Sequence, residues 1–432
     1  MTTVSPVKID VSAETAALPQ ETFTDVAVIG TAANAPPDAA FGEVNRYGSA
    51  AEVANDYGDG SDVHTASQAL AENGADFWYV LVLEQTEVVD ENVDDGGTVA
   101  NTPIHGAAGV TADARDVVYT ADDPVETPAE GEVAVHTGTG EISTGDGTAA
   151  TLTYSHVDWS GLEELEYNGI NRAHLANTRA GREDIGDYDE FVAWAASARV
   201  GVPLPIEDPR QYESDEEAMA VAHDVAGYVP GGHVLGITAK ASGDVGAHQL
   251  GKMAVNDPWR DFHMDGEGYP FAIDGVKGSL IGNPGVNDTF VGGDADGNGA
   301  TNVVVTIEGT NTLWRSVSTA GASSEYQFFD VKMTEDFAIS VIQNALISRQ
   351  LNRDQIPFTE DGQSMIEDAI IANLNEYVGG PDDPFAEADI SVPAPEDVPE
   401  DDRANREWSG IRLDYRLTGS AQTFSVQLTL SV

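Results

Sequence analysis

TDVAVIGTAANAPP, residues Thr24 to Pro37, is an apolar run of strand length closed by a turn of Ala, Asn and Pro. An unbroken apolar run without alternation predicts a strand buried on both faces. Downstream, Ser49-Ala-Ala-Glu52 is a capping box that opens a short helix. A second helix over about Asp62–Asn73 precedes ADFWYVLVLE (Ala75–Glu84), another long apolar strand. Strand, helix and strand in this order predict a βαβ unit and an α/β domain. The turn Gly30-Thr-Ala-Ala lacks the second and third glycines of GxGxxG. It therefore reads as a strand-to-loop turn, not as a cradle for pyrophosphate.

Beyond this unit the character changes. From about Val89 to Ser160, Gly, Thr, Asp and Pro dominate, and short strands (Val117–Thr120, Glu132–His136, Ala149–Ser155) alternate with turn signals such as GTGE and GDGT. This predicts a small all-β insertion. The α/β pattern then resumes with a helix near Tyr188–Arg199, a strand Val200–Ile206, a helix capped from Ser214 and a strand His233–Thr238. Further strands are expected near Asn302–Glu308 and Tyr326–Met333, and helices near Glu335–Leu351 and Gly362–Tyr377. An acidic, Pro-rich link, Gly379–Asp402, leads to strands Ile411–Leu417 and Thr423–Ser431. The last of these alternates without fault: Phe424, Val426, Leu428, Leu430 and Val432 share one face. Val7, Ile9 and Val11 alternate in the same way near the start. Both ends read as strands outside the compact elements, and an unpaired strand of this quality needs a sheet to receive it.

The 432 residues carry 74 acidic and 20 basic side chains, a formal net charge of −54, with a normal hydrophobic share of 41%. Only five of the basic residues are lysines. An acid-rich, lysine-poor surface over an ordinary core points to a halophile: at molar salt the Debye length is about 3 Å and like charges no longer repel at a distance. An acidic mesophilic protein with a cationic partner is the alternative. No basic stripe exists to neutralise phosphates, which disfavours nucleic acid. Cysteine is absent, which excludes disulfides and thiolate chemistry. No apolar leader and no run of about 18 apolar residues is present, so neither a signal peptide nor a membrane span is expected.

Catalytic motifs are missing. There is no HExxH, GxSxG or P-loop pattern. Asp294, Asp296 and Asn298, with Gly299 at position 6, match the first half of a calcium loop, but Val305 stands where a bidentate Glu belongs. An acidic, Gly-rich surface turn is the plainer account, and no metal or cofactor is expected. Asp187, Asp189 and Glu190 form a carboxylate cluster of the kind acid–base chemistry uses. They also fit the first turn of a helix, where the dipole favours them.

The order of elements resembles that of the contractile phage tail sheath family. At the start the likeness rests on TDVAVIGTAANAP, GEVNRYGSAAEVANDYGDGS and the helix ending ALAENGADFWYVLVL. Near the end it rests on EYQFFDVKMTEDFAISVIQNAL, PFTEDGQSMIEDAIIANL and DDRANREWSGIRLDYRLTGSAQTFSVQLTLSV. The resemblance implies an α/β (α+β) multidomain protein, with a mixed-sheet sheath core, an inserted small all-β domain and extended strand-like arms at both ends. The segments are then 1–20 (N-terminal arm), 21–88 with 161–300 (α/β domain), 89–160 (insertion), 301–419 (C-terminal sheath domain) and 420–432 (C-terminal arm). It also implies a non-enzymatic, helically assembling subunit, with a tail tube protein, baseplate and terminator proteins as partners. The arms, through Val7, Ile9, Val11, Phe424, Val426, Leu428 and Leu430, would complete sheets in neighbouring subunits. The C-terminal domain would face the tube, where Arg349, Arg353, Arg403 and Arg406, with Arg412 and Arg416, concentrate scarce positive charge; pairing of these arginines within the chain is the alternative. Together with the composition, this implies the virion tail of a haloarchaeal virus, assembled in the host cytoplasm. The variants are a cellular contractile injection system or, in a different class, a halophilic soluble enzyme.

Overall fold

The computed structural model describes residues 25–33, 40–106, 109–120, 125–176, 181, 183, 185–206, 215–239, 244–262, 269, 301–307, 310–321, 324–351 and 356–419. They fall into two compact units, one within Thr22–Lys332 and one from Met333 onward.

In the first unit, β1 (Val26–Ala32), β2 (Val44–Tyr47), α1 (Ala50–Tyr57), α2 (Asp62–Glu72) and β3 (Trp78–Val93) follow one another. β1 and β3 pair in parallel, Ile29 opposite Leu81, as a βαβ unit requires. Ser49 caps α1 by accepting from the Glu52 amide, and Glu52 accepts in return from Gly48 N–H. Ser61 caps α2 through the His64 amide. Each cap satisfies a backbone donor that is worth about 0.5–2 kcal/mol.

Gly30 lies inside β1, not in a turn after it. A Cβ there would sit 2.5 Å from Val63 Cγ1 on α2. Glycine is required for the close approach of helix to strand, which the turn reading had missed. Gly30→Ala is expected to destabilise the first unit by about 1–3 kcal/mol through overpacking. An unchanged urea midpoint would remove this account of the glycine.

β3 is the axis of the first unit. Its 16 residues pair first with β1 and β2, then with β8 (Ala150–Val157). Between β3 and β8 lie β4 (Thr111–Ala112), β5 (Asp116–Tyr119), β6 (Glu132–Val135) and β7 (Ile142–Thr144). β5, β6 and β7 form a three-stranded sheet. Val93, Val133, Val135, Ile142, Leu152 and Tyr154 belong to one apolar cluster between this sheet and β8.

After α3 (Glu163–Tyr167), β9 (Arg172–Leu175) pairs with β1 and completes a six-stranded sheet in the order β4-β8-β3-β1-β9, with β2 on β3. α4 (Ile185–Ala198), β10 (Val202–Ile206), α5 (Asp215–Tyr228), β11 (Val234–Thr238), α6 (Val245–Val255), β12 (Asn302–Ile307) and β13 (Thr310–Leu313) follow. β10, β11, β12 and β13 make a second sheet, joined to the edge of the first by a parallel bridge from Arg172 to Gly201. α4 and α5 share one core with the sheets through Phe191, Ala195, Val221 and Val225. α1, α2 and α6 cover the other face through Val53, Leu70 and Leu250.

The second unit contains most of α7 (Phe329–Leu351), then α8 (Glu360–Leu374), β14 (Phe385–Ser391), α9 (Glu400–Ala404) and β15 (Arg412–Leu417). Two expectations are corrected here. The strand expected at Tyr326–Met333 is a single bridge, Val317 to Phe328, followed at once by helix. Phe329, Met333 and Phe337 recur every four residues and are all buried, so the helical period wins over a short alternation. The link Gly379–Asp402 holds a strand, β14, with Glu387 and Asp389 on its exposed face.

Candidate assembly surface

β14 and β15 form a two-stranded antiparallel sheet, with Phe385 opposite Leu417, Asp389 opposite Asp414 and Ile390 opposite Leu413. Two strands alone are marginal in water and need an apolar support. Here α7 and α8 supply it. Phe385 is fully buried with Ile342, Leu346, Ile366 and Ile370, and Ile390, Ile411, Leu413 and Leu417 pack on the same cluster. Phe385 also meets the Tyr415 ring edge-on, 5.5 Å between centroids. Trp408 stacks on Phe358 at 5.0 Å and donates to the Pro393 carbonyl, which fixes the segment leading into β15.

The other face of the sheet is charged. Arg416 reaches Glu387 at 2.8 Å with both side chains mostly in solvent, a geometry that contributes about 0–1 kcal/mol. Asp389 directly opposes Asp414, and both are exposed. Like charges at opposed positions weaken a sheet by about 0.2–1 kcal/mol in the absence of screening. Asp414→Asn is therefore expected to raise the stability of the second unit in dilute buffer and to leave it unchanged in molar KCl, where the Debye length is about 3 Å. A stabilisation of the same size at both salts would mean that the repulsion is not its source.

On the far side of β15 from β14, no strand pairs with it among the described residues.

Of the residues singled out in the sequence, Arg403 and Arg406 are exposed, on α9 and just after it. Arg403 donates to the Pro395 carbonyl. Arg349 is half-buried in the last turn of α7, where a cation complements the carbonyl end of the helix. Val7, Ile9, Val11, Phe424, Val426, Leu428, Leu430, Arg353, Asp294, Asp296 and Asn298 lie outside the described residues. Among the described residues no group of three or more His, Asp or Glu is placed to hold a metal ion. No described helix is long and apolar enough to cross a membrane.

The carboxylates Asp187, Asp189 and Glu190 do not act as a cluster. Asp189 and Glu190 face solvent, while Asp187 is fully buried. Asp187 Oδ2 lies 2.8 Å from His105 Nδ1 and accepts from the Gly106 amide. His105 Nε2 lies 3.2 Å from Thr31 Oγ1, at the end of β1. Burial pushes the Asp187 carboxyl above its ordinary range, against the pull of the His105 bond. Carboxylate, imidazole and hydroxyl stand in the order of a hydrolytic triad. The imidazole is only 3% exposed, however, and the Gly106 amide, a candidate oxyanion donor, is spent on Asp187. The chain of bonds is a fastening: the Ile104 amide donates to the Thr137 carbonyl, the His105 amide to the Ser155 carbonyl, and the Gly186 amide to Thr137 Oγ1. The loop at 104–106 is thereby tied at once to β1, to α4 and to β8. With His105 and Asp187 82 positions apart in sequence, no local pattern announces the pair.

No protein-family model and no curated protein matches the chain. Solved structures match it over its full length. A chain from the anti-feeding prophage baseplate is 13% identical, with 100% of both chains covered and a TM-score of 0.57. A chain from the helical sheath of the anti-feeding prophage in its contracted state is 12% identical, with 99% of each covered and a TM-score of 0.54. The contracted baseplate of the same particle gives 13% identity, 99% coverage of each chain and a TM-score of 0.54. The chain thus has the fold found in a contractile sheath, with little of its sequence.

Proposed function

We propose that the protein is the structural subunit of a contractile tail sheath, which polymerises helically around an inner tube and contracts to drive it through an envelope. The observation that carries this is the end-to-end likeness of fold to a chain of a helical sheath, at 99% coverage of both chains. The supported β14–β15 sheet supplies the local means of assembly, because a two-stranded ladder is extended by adding a strand. The alternating terminal segments, with Val7, Ile9 and Val11 at one end and Phe424, Val426, Leu428 and Leu430 at the other, are the strands to complete such a sheet in a neighbouring copy. Burying the five apolar side chains of the terminal strand, Phe424, Val426, Leu428, Leu430 and Val432, in a neighbour would give a gross gain near 10 kcal/mol at roughly 1.5–3 kcal/mol each, from which the ordering of a free strand subtracts about 1–2 kcal/mol per residue. The net per arm is small. Cooperation along a helix of subunits makes it sufficient.

Segment 89–160 is proposed as an inserted domain on the α/β core. Arg349, Arg353, Arg403 and Arg406 are proposed to face an acidic tube. Baseplate and terminator proteins are the remaining partners. The work is mechanical: the energy resides in the two packings of the subunits, and no nucleotide or metal enters. The acidity supports the further reading of a high-salt host, with the particle as the tail of a haloarchaeal virus assembled in the cytoplasm. A cellular injection particle is the variant of the same reading, told apart by whether capsid genes accompany the gene.

The test is negative-stain electron microscopy of the purified protein in molar KCl, with and without residues 421–432. Tubes or stacked rings from the full chain, lost on truncation, are expected. Discrete monomers from both would end the sheath reading and favour a soluble enzyme or binding protein.

A further inference from the structure

Four of the described aspartates are followed by glycine: Asp59, Asp95, Asp146 and Asp361. In this dipeptide the next backbone nitrogen can attack the side-chain carboxyl with least hindrance, because glycine carries no Cβ. All four aspartates are exposed, so solvent access does not separate them. The attack requires the glycine amide to lose its proton, and the acceptor of that N–H therefore matters. Gly96 donates to the Ile142 carbonyl at 3.1 Å, Gly147 to the Thr144 carbonyl at 3.2 Å and Gly362 to Thr359 Oγ1 at 3.3 Å. None of these oxygens is a base near neutral pH. Gly60 instead donates to His64 Nδ1 at 2.9 Å. That bond fixes the tautomer: Nδ1 presents a lone pair, and the ring proton sits on Nε2, which faces the Gln68 amide at 3.1 Å.

His64 is the third residue of α2, behind the Ser61 cap. At the same position of α1, Glu52 reaches back to the Gly48 amide. Imidazole is the stronger base of the two side-chain types. The Asp59 side chain is 97% exposed, and its Oδ1 lies 3.5 Å from the same His64 Nδ1. One ring nitrogen thus stands beside both reacting groups, the amide that loses a proton and the carboxyl that loses an oxygen. Gly58 and Gly60 flank Asp59 at φ +98° and +80°, and nothing lies within 4 Å of a Cβ built on either. The turn between α1 and α2 has room to change its backbone.

We propose that Asp59 is a site of spontaneous isomerisation to isoaspartate, with His64 as its general base. Gly60 N attacks Asp59 Cγ while its proton passes to His64 Nδ1, within the reach that general-base catalysis needs. A C–N bond forms and a C–O bond breaks. The carboxyl oxygen leaves as water, with the acid's own proton and the one held by His64. Water then opens the resulting succinimide at either carbonyl. Opening at Cγ restores aspartate. Opening at the backbone carbonyl routes the main chain through Cβ and Cγ as isoaspartate. Water is the sole co-reactant. The product lengthens the α1–α2 turn by one methylene, a mark that accumulates with the age of the subunit. The site does not depend on the sheath reading.

The test incubates the full-length protein in weakly acidic molar KCl, below the assembly concentration, for wild type and H64Q. Isoaspartate is followed at all four positions by peptide mapping with fragmentation that separates the isomers. Glutamine at the third helical position still completes a capping box with Ser61, so H64Q removes the base and keeps the cap. In native wild type, Asp59 is expected to isomerise on the order of a hundredfold faster than Asp95, Asp146 or Asp361, and H64Q is expected to remove that advantage. In urea, where His64 no longer faces Gly60, the four rates should converge. A folded H64Q that isomerises at Asp59 at the wild-type rate overturns the proposal, as does a native wild type in which Asp59 is no faster than the other three. If H64Q does not fold, the ratio of Asp59 to the other three in native against urea-unfolded wild type decides: a ratio that is the same in both states overturns it.

Discussion

His105→Ala is expected to lower the stability of the first unit by about 3–5 kcal/mol, the cost of leaving one member of a buried ion pair uncompensated. Asp187 would remain, fully buried, with only the Gly106 amide to receive its charge. Asp187→Ala should cost less, because the imidazole left behind keeps Thr31 Oγ1 as a partner at 3.2 Å. The pH dependence gives a second check. Burial already raises the Asp187 carboxyl, and removing His105 raises it further. The native state then holds a proton that the unfolded state releases. Stability falls as pH rises from the unfolded carboxylate range up through the raised native value. The loss in His105→Ala should therefore be larger at pH 7 than at pH 5. Urea midpoints at both pH values, below the assembly concentration, measure it. Equal losses for His105→Ala and Asp187→Ala, with no pH dependence, would mean that the pair is not charged in the native protein.

Phe385→Ala carries the other large expected effect. The ring is fully buried where β14 enters the sheet, in the cluster shared by α7 and α8. Truncating a buried Phe costs about 3–5 kcal/mol. The second unit's described residues form one small core, so that loss is a large part of its stability. The expected result is a separate, earlier unfolding transition for the second unit, with the first unit unchanged and assembly lost at temperatures where the first unit is intact. Intrinsic tryptophan fluorescence resolves the two, since Trp408 lies on the Phe358 ring in the second unit. A single transition at the wild-type midpoint would show that the β14–β15 sheet does not depend on this ring.

Much of the fold was legible because local chemistry and tertiary structure agree. The Ser49 cap, the apolar strands at Val26 and Trp78 and, to within a few residues, the helix expected near Gly362–Tyr377 follow from residue pattern alone. The misses have physical causes. α6, VGAHQLGKMAV, was not expected, because it is buried from Val245 to Met253, its polar residues His248, Gln249 and Lys252 included, and so has no solvent-exposed face to set a helical period. β14 was hidden by its composition: Ala at 386 and 388 and acids at 387 and 389 suit a solvated strand edge but give no apolar signal. β3 was cut short at Glu84, because its second half exchanges a buried environment for a half-solvated one, although the strand continues. In the candidate surface, the exposed arginines were visible in the sequence. The support beneath them, in which helices α7 and α8 hold a two-stranded sheet, depends on packing between distant segments and was not.

The length of β3 has a mechanical consequence. At about 3.3 Å per residue, 16 residues make a continuous bar of roughly 50 Å. One half is laid in parallel against β1 with six rungs in register, from Ala27–Tyr79 to Ala32–Glu84, and the other half carries β8. A pull applied along the far half reaches β1 through covalent backbone and loads all six rungs together in shear, where peeling would break them one at a time. The irregularity between Val88 and Glu91, with Asp90 in the left-handed region at φ 55°, is a compliant joint between the two halves.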